Sequence, residues 1–410
     1  MDDLPRDGYL KRILPFLDKP VIKVLTGMRR VGKSSLLRLL IQRLRESGVA
    51  ENAILFIDLE SLEWDSLRTY SDLNHYIKDS FRGVPAPRYV FIDEVQEITG
   101  WERVVNSLLS EEFADITITG SNAHLLASEL ATYLSGRYVE FPIFPLSFQE
   151  FLQFRSPNAG DRRDEFQLYL RYGGLPGIHR FELNDQTVFA YLNGVYNTLI
   201  LKDVVTRNQL RDPGQLDRIT RFAFDNCGNI LTAKRISDYL KNQKLSTGVD
   251  KVINYLSFLE QAHLLKKVIR YDIKGLRNLE LYEKYYMGDI GLRHGLLGYR
   301  DRDIGGLLEN VVYLELLYRG YRVFIGKWGD KEVDFVAERA DERLYIQVTL
   351  QLGTPETIER EFSVLEKIDD NFVKVVLSLD EFQSINRGGI RHVNLLDFLL
   401  QVPPSSGSTV

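Results

Sequence analysis

Eight residues near the amino end constrain this chain more than any other feature: Gly27-Met28-Arg29-Arg30-Val31-Gly32-Lys33-Ser34. Glycine, four residues, then Gly-Lys-Ser is the spacing of a loop whose backbone N–H groups converge on phosphate oxygens. The flanks suit that role. Val21–Thr26 reads as a buried strand, and Ser35–Ile41 opens an amphipathic helix whose N-terminus adds a positive dipole end. Lys33 is expected to reach the β- and γ-phosphates, and the Ser34 hydroxyl to ligate Mg²⁺. Gly27 through Ser35 is therefore the predicted phosphate-binding set.

Strand-like runs recur at 21–26, 53–58, 88–93 and 115–120, with helical patterns between them. This alternation predicts a parallel sheet with helices on both faces over residues 1–145. Arg88–Glu94 has the apolar run of a central strand and ends in two carboxylates, at the edge where open α/β sheets bind ligands. Asp93 is expected to hold Mg²⁺, directly or through water, and Glu94 to orient and deprotonate an attacking water. Thr119, Ser121 and Asn122 close a further strand. One of them is expected to sense the γ-phosphate, although Ser121 or Asn122 also suits a helix N-cap. Arg137 is a candidate to stabilise transition-state charge, in cis or from a neighbouring subunit. Arg29 and Arg30 compete for that role, and a surface ion pair is the alternative for each.

Together Gly27–Ser34, Tyr89–Glu94, Thr119–Asn122, Leu134–Tyr138, Phe144–Phe148 and Tyr172-Gly173-Gly174-Leu175-Pro176 resemble the AAA-type ATP-binding proteins of bacteria and archaea. In that family an ATPase domain precedes a C-terminal domain of unknown function. The resemblance implies ATP and ADP as the nucleotides, with Mg²⁺, and a helical lid after the ATPase domain. The loop itself reads only phosphate.

Residues 146–300 read as that helical lid followed by a winged helix. Phe148, Phe151, Leu152 and Phe154 form an aromatic stripe expected in the core. Helices are predicted at Leu216–Phe224, Thr232–Lys241 and Thr247–Gln261, and a hairpin at Leu264–Tyr271 and Leu279–Tyr286. In the third helix Val249, Val252, Ile253, Leu256 and Leu259 are expected to be buried, leaving Thr247, Asp250, Lys251 and Asn254 outward. That outward face lacks the arginines that read guanine, so protein docking is favoured over sequence-specific DNA reading. Gly214–Lys274 nevertheless holds eleven Lys/Arg against six Asp/Glu in a chain of net charge −5, which keeps contact with DNA phosphates open.

Residues 301–402 have the predicted order α-β-β-β-α-β, with Glu309 in the first helix and Asp334 in the second strand. This resembles the PD-(D/E)XK nuclease fold. Where that pattern requires acid-X-Lys, the chain reads Gln347-Val348-Thr349. An amide replaces a metal-binding carboxylate and a hydroxyl replaces the lysine, so a catalytically degenerate domain is expected. Residues 403–410 have linker composition.

The single cysteine, Cys227, rules out an internal disulfide framework and suits a reducing cytoplasm. No apolar run is long enough to span a membrane, the amino end does not resemble a signal peptide, and the histidines lack zinc-ligand spacing. The leading expectation is a cytoplasmic ATPase whose nucleotide state switches its C-terminal binding domains, with oligomers allowed. The alternative is a nucleotide-dependent DNA- or protein-binding module with little turnover of its own. A third reading, an ATP-controlled nuclease, is disfavoured by the lost acid and lysine.

Overall fold

The computed structural model describes residues 6–121, 136–156, 159–245, 247–300, 304–381 and 386–401. They form two compact units. One takes the chain through Ile143 together with Gln261–His263, and the other takes Phe144–Glu260 and the chain from Leu264 onward.

The first unit contains helix α1 (Asp7–Ile13), strand β1 (Ile22–Thr26), α2 (Lys33–Glu46), β2 (Ile54–Asp58), α3 (Tyr70–Ser80), β3 (Tyr89–Asp93), α4 (Trp101–Ser110), β4 (Asp115–Gly120) and β5 (Tyr138–Pro142). The strands form one sheet in the order β2-β3-β4-β1-β5. Every pair is parallel, as the alternation of strand and helix predicts. β1 and β3 are buried along their whole lengths, so their sequences are almost continuously apolar. Ile22, Val24, Val90, Ile92, Ile116 and Ile118 pack with Leu73, Ile77, Trp101, Val105 and Leu108 from the helices. Burying each such aliphatic side chain is worth about 1.5–3 kcal/mol. Because β4 lies between β1 and β3, the loops leaving all three strands meet at one sheet edge.

The second unit begins with α5 (Phe148–Arg155) and α6 (Arg162–Tyr172). Ser147 caps α5, accepting from Glu150 N–H at 3.2 Å, while the Glu150 carboxylate accepts from Ser147 N–H at 3.1 Å. Phe148 and Phe151 are fully buried and meet Phe166 and Tyr169, as the aromatic stripe predicts. Gly173-Gly174 acts as a packing joint. Gly174 N–H donates to the Asp289 carboxylate at 2.8 Å, and Gly174 carbonyl accepts from Leu146 N–H at 2.7 Å. Gly173 has φ +76°, and a Cβ on it would collide with Asp289.

Helices α7 (Asp185–Thr198), α8 (Pro213–Asp225), α9 (Ala233–Asn242) and α10 (Val249–Gln261) follow, then strands β6 (Leu265–Asp272) and β7 (Arg277–Met287). Thr232 caps α9, accepting from Arg235 N–H at 3.1 Å, as its position predicts. α10 departs from expectation. Val252, Tyr255, Leu256 and Leu259 are buried, whereas Val249 is 40% and Ile253 51% exposed. Thr247 is buried and bonded to Gln215 instead of facing outward. The buried stripe follows steps of three and four from Val252, which turns Val249 and Ile253 to the flank.

Helix α11 (Ile290–Leu297), α12 (Ile304–Tyr318), β8 (Arg322–Trp328), β9 (Lys331–Arg339), β10 (Glu342–Val348), α13 (Pro355–Leu365), β11 (Val373–Ser378), β12 (Asn386–Arg387), β13 (Ile390–Asn394) and α14 (Leu395–Leu400) complete the chain. From α12 the order is α-β-β-β-α-β. The sheet does not stop at the boundary expected near residue 300. β6 pairs in parallel with β8, giving one eight-stranded sheet, β12-β13-β11-β10-β9-β8-β6-β7. The hairpin is thus an edge of a larger sheet, a long-range pairing that no local pattern reveals. Among the described residues no helix is long and apolar enough to cross a membrane.

Candidate nucleotide site

Strand β1 ends at Thr26 and the chain turns through Gly27, whose φ is +148°. A side chain there would collide with the Ile143 carbonyl, so glycine is required by space as well as by backbone angle. Gly32, at φ +97°, ends the loop and starts α2. Within the loop Met28 and Val31 are buried, Arg30 adopts φ +70°, and Arg6 donates to the Val31 carbonyl at 3.0 Å. Ser35 stands in the first turn of α2.

Lys33 is almost wholly buried. Its ammonium donates to the carbonyls of Gly27 at 3.0 Å and Met28 at 3.3 Å, and lies 3.2 Å from a Glu94 oxygen. Glu94 follows directly on β3 in the left-handed region, φ +50°, a costly conformation for a residue with a side chain. Burial pushes its carboxyl up, but the Lys33 ammonium, the Arg29 guanidinium and the Gln96 amide outweigh burial and hold it at about 2. Asp93 behaves oppositely. Burial raises its pKa against hydrogen bonds from Ser34 and Thr119.

Thr119 organises this pair of acids. Its hydroxyl donates to the Asp93 carboxylate and accepts the Glu94 N–H at 2.9 Å. The single proton of that hydroxyl is spent on Asp93, and a γ-phosphate sensor needs it for the phosphate. Ser121 is buried and lies 3.5 Å from the Gln96 amide nitrogen. Asn122 lies outside the described residues. Arg29 is buried and ion-paired to Glu60 and, at 3.8 Å, to Glu97, so it braces the loop.

Arg137 does not join this cluster within the chain. Its carbonyl accepts from Ile22 N–H at the amino end of β1, and its guanidinium donates to Ser110 at 3.2 Å. The loop leaves the other end of β1, about 15 Å away along a strand of this length. The sequence places Arg137 shortly after β4 but does not show that the chain has returned to the far end of the sheet. Gln96 and Arg6 are the contributors that motif reading missed, and Thr119, expected as a candidate sensor, stands here as a brace of the acid pair. Gln96 sits two residues beyond a recognised acid, but nothing in a single sequence marks its amide as facing that acid.

Ser34 and Asp93 offer a hydroxyl and a carboxylate in mutual hydrogen-bond contact, the hard oxygen donors that suit Mg²⁺. Among the described residues no group of three or more His, Cys, Asp or Glu is placed to hold a metal ion.

A parallel sheet with this loop on one strand and an acid pair on another is the arrangement of P-loop nucleotide-binding domains. The family model of the AAA domain matches residues 19–152, and a domain of unknown function, DUF8612, matches residues 163–303. A Haemophilus influenzae protein described as uncharacterized is 36% identical over 400 residues, covering 97% of this chain and 99% of that protein. The chain belongs to the same family as that protein. An uncharacterized protein of Methanocaldococcus jannaschii is 27% identical, covering 91% of this chain and 86% of its own length. Among solved structures, the Walker-type ATPase of Pyrococcus abyssi aligns with a TM-score of 0.46 at 18% identity, over 72% of this chain and 96% of that one.

Proposed function

We propose that this chain binds Mg·ATP on Gly27–Ser35 and hydrolyses it with Glu94 as base. The observation that carries this reading is the buried Lys33–Glu94 pair at 3.2 Å. A γ-phosphate within reach of Lys33 competes with Glu94 for the ammonium. Once Lys33 turns to phosphate, Glu94 loses the ammonium that most opposes its burial and its proton affinity rises, which makes it a better base when substrate is present. Ser34 and Asp93 would hold Mg²⁺, which supplies charge neutralisation at the phosphates. The backbone of the loop and the N-terminus of α2 orient the phosphates, and Thr119 keeps both acids in register.

The test is nucleotide binding and turnover by purified protein. Lys33→Ala should lose both. Glu94→Gln should keep ATP binding while kcat falls about 10²- to 10⁴-fold, the scale of losing a general base. Normal turnover by Glu94→Gln would remove Glu94 from the role of base.

Downstream, we read α8–α10 with β6–β7 as a winged helix and α12–β11 as a nuclease-derived fold without nuclease activity, both responding to the nucleotide state. Two observations support binding over cleavage. Val249 and Ile253 expose apolar surface on α10, which favours a protein partner. Gln347 spends its amide on structure, accepting from Asp334 N–H at 2.7 Å and donating to Glu361 at 3.0 Å. A cytoplasmic location remains part of the same proposal, resting on the lone cysteine.

A further inference from the structure

Gln96 holds an unusual place beside the acid pair. It lies in the short turn Val95–Glu97, between Glu94, which contacts Lys33, and Glu97, which contacts Arg29. Its amide nitrogen donates to Glu94 Oε2 at 2.5 Å and lies 3.5 Å from Ser121 Oγ. A carboxylate can only accept, so the nitrogen must face Glu94 and the carbonyl oxygen is turned to the other side of the amide. That oxygen, Gln96 Oε1, is buried and has no hydrogen-bond partner among the described residues. A buried orphan acceptor costs about 1–3 kcal/mol. Half-exposed glutamine could relieve this by rotating outward, but the bond to Glu94 holds it in place.

We propose that Gln96 Oε1 accepts the second hydrogen of the attacking water and is thereby a catalytic residue. This rests on the reading of Glu94 as base. A water has two hydrogens, and a general base takes only one. Orienting its lone pair toward the γ-phosphorus needs a second fixed acceptor. Gln96 supplies one on the same planar amide that anchors Glu94, so base and acceptor are set by a single hydrogen bond. In the step, the water oxygen bonds to the γ-phosphorus as that phosphorus separates from the terminal oxygen of ADP. One proton passes to Glu94, and the hydrogen held by Gln96 leaves with the phosphate. Glu94 then releases its proton to solvent. No group beyond ATP and water is consumed.

The experiment is the pH profile of kcat for the full chain with Mg·ATP, alongside ATP affinity and thermal unfolding. Gln96→Ala should lower the kcat plateau about 100-fold at every pH, the scale of losing one positioned polar group, with KM within about twofold. It should also move the acid limb upward, because Glu94 loses a donor. If Gln96 served only to hold the Glu94 pKa down, the plateau would return to the wild-type value above the shifted limb, and the proposal would fall. Gln96→Asn, which keeps an amide one methylene short, should fold like the parent and remain on a lowered plateau; a wild-type plateau there also overturns the proposal. Failure of the underlying reading looks different, because Glu94→Gln would then turn over normally whatever Gln96 does.

Discussion

Each of the two units brings a buried lysine against carboxylates, and the two lysines are held differently. Lys33 has two carbonyls and one carboxylate, under a glycine loop. Lys284, on β7, lies 2.6 Å from Glu332 and 3.4 Å from Glu309. Burial alone would lower the Lys284 pKa, but Glu309, Glu332 and Asp334 together drive it upward. Burial raises Asp334 well above the usual carboxylate range, with Glu309 adding to the effect. In the proposed cycle the first ammonium exchanges one carboxylate for a phosphate. The second already serves as the counter-charge of its acids, and a metal would have to expel it. A lysine beside acids is therefore not in itself a reactive site. What matters is whether neutral donors and acceptors are arranged to receive the ligand that replaces the acid.

The largest effects should separate the two lysines. Lys33→Ala should abolish turnover, as judged by phosphate release, and should also lower the unfolding midpoint, because it leaves the buried Glu94 carboxylate without its ammonium. Lys284→Met should lower stability while sparing turnover. Removing one partner of a buried charge cluster costs about 3–5 kcal/mol, measurable by chemical denaturation, while ATP turnover per folded molecule stays near the parent value. Loss of turnover in folded Lys284→Met would break the contrast and tie the second cluster to the nucleotide cycle. Plasmid DNA incubated with the parent and Mg²⁺ or Mn²⁺ should remain uncut. Cleavage that disappears in Asp334→Ala would show that Lys284 is no obstacle to metal.

A smaller, pH-dependent effect belongs to Asp289. Burial pushes its carboxyl up from 3.8 to about 6, against donation from Gly174, Leu292 and Gly291 N–H. The folded state therefore holds its proton to higher pH than the unfolded state. Stability from this group is full below pH 3.8 and falls as pH rises through about 6. The shift corresponds to about 3 kcal/mol. Asp289→Asn should flatten the decline between those values in denaturation series. Glu94 has the opposite sign. Its folded pKa of about 2 lies below 4.5, so its contribution is present above pH 4.5 and lost as pH falls toward 2.

The loop and acid pair of the candidate site were legible where their chemistry is local. The glycines, Lys33 and Ser34 share one turn, and Asp93-Glu94 ends an apolar run. The parallel sheet followed from strand–helix alternation, and the Thr232 cap from its place before a helix. What escaped reading depends on chain reversal or long-range pairing. Arg137 lies at the wrong end of β1 because β5 restarts there. Thr119 is a brace because β4 inserts between β1 and β3. Lys284 meets Glu309 and Glu332 across wide sequence gaps, and the β6–β8 pairing joins regions that composition separates. The phase of α10 was misjudged because Tyr255, an amphipathic residue, buries its ring where Ile253 was expected.

The exposed flank of α10 yields the smallest effect and the finest test. Ile253 and Val249 are four residues apart on one exposed flank of α10, so neither supports the core. Ile253→Lys should change folding stability by no more than about 0.5 kcal/mol and leave turnover intact. Its consequence for DNA binding differs between the two readings of this helix. A flank that approaches DNA phosphates gains a favourable charge, so affinity for a labelled duplex should rise in anisotropy titrations and become steeper in salt. A flank that docks apolar protein surface gains nothing from DNA and loses its contact patch. The exposed pair favours the latter, and the expected outcome is unchanged DNA affinity in Ile253→Lys. Tighter, salt-sensitive binding would instead assign α10 to nucleic acid, and would make the second unit the place where this chain meets DNA.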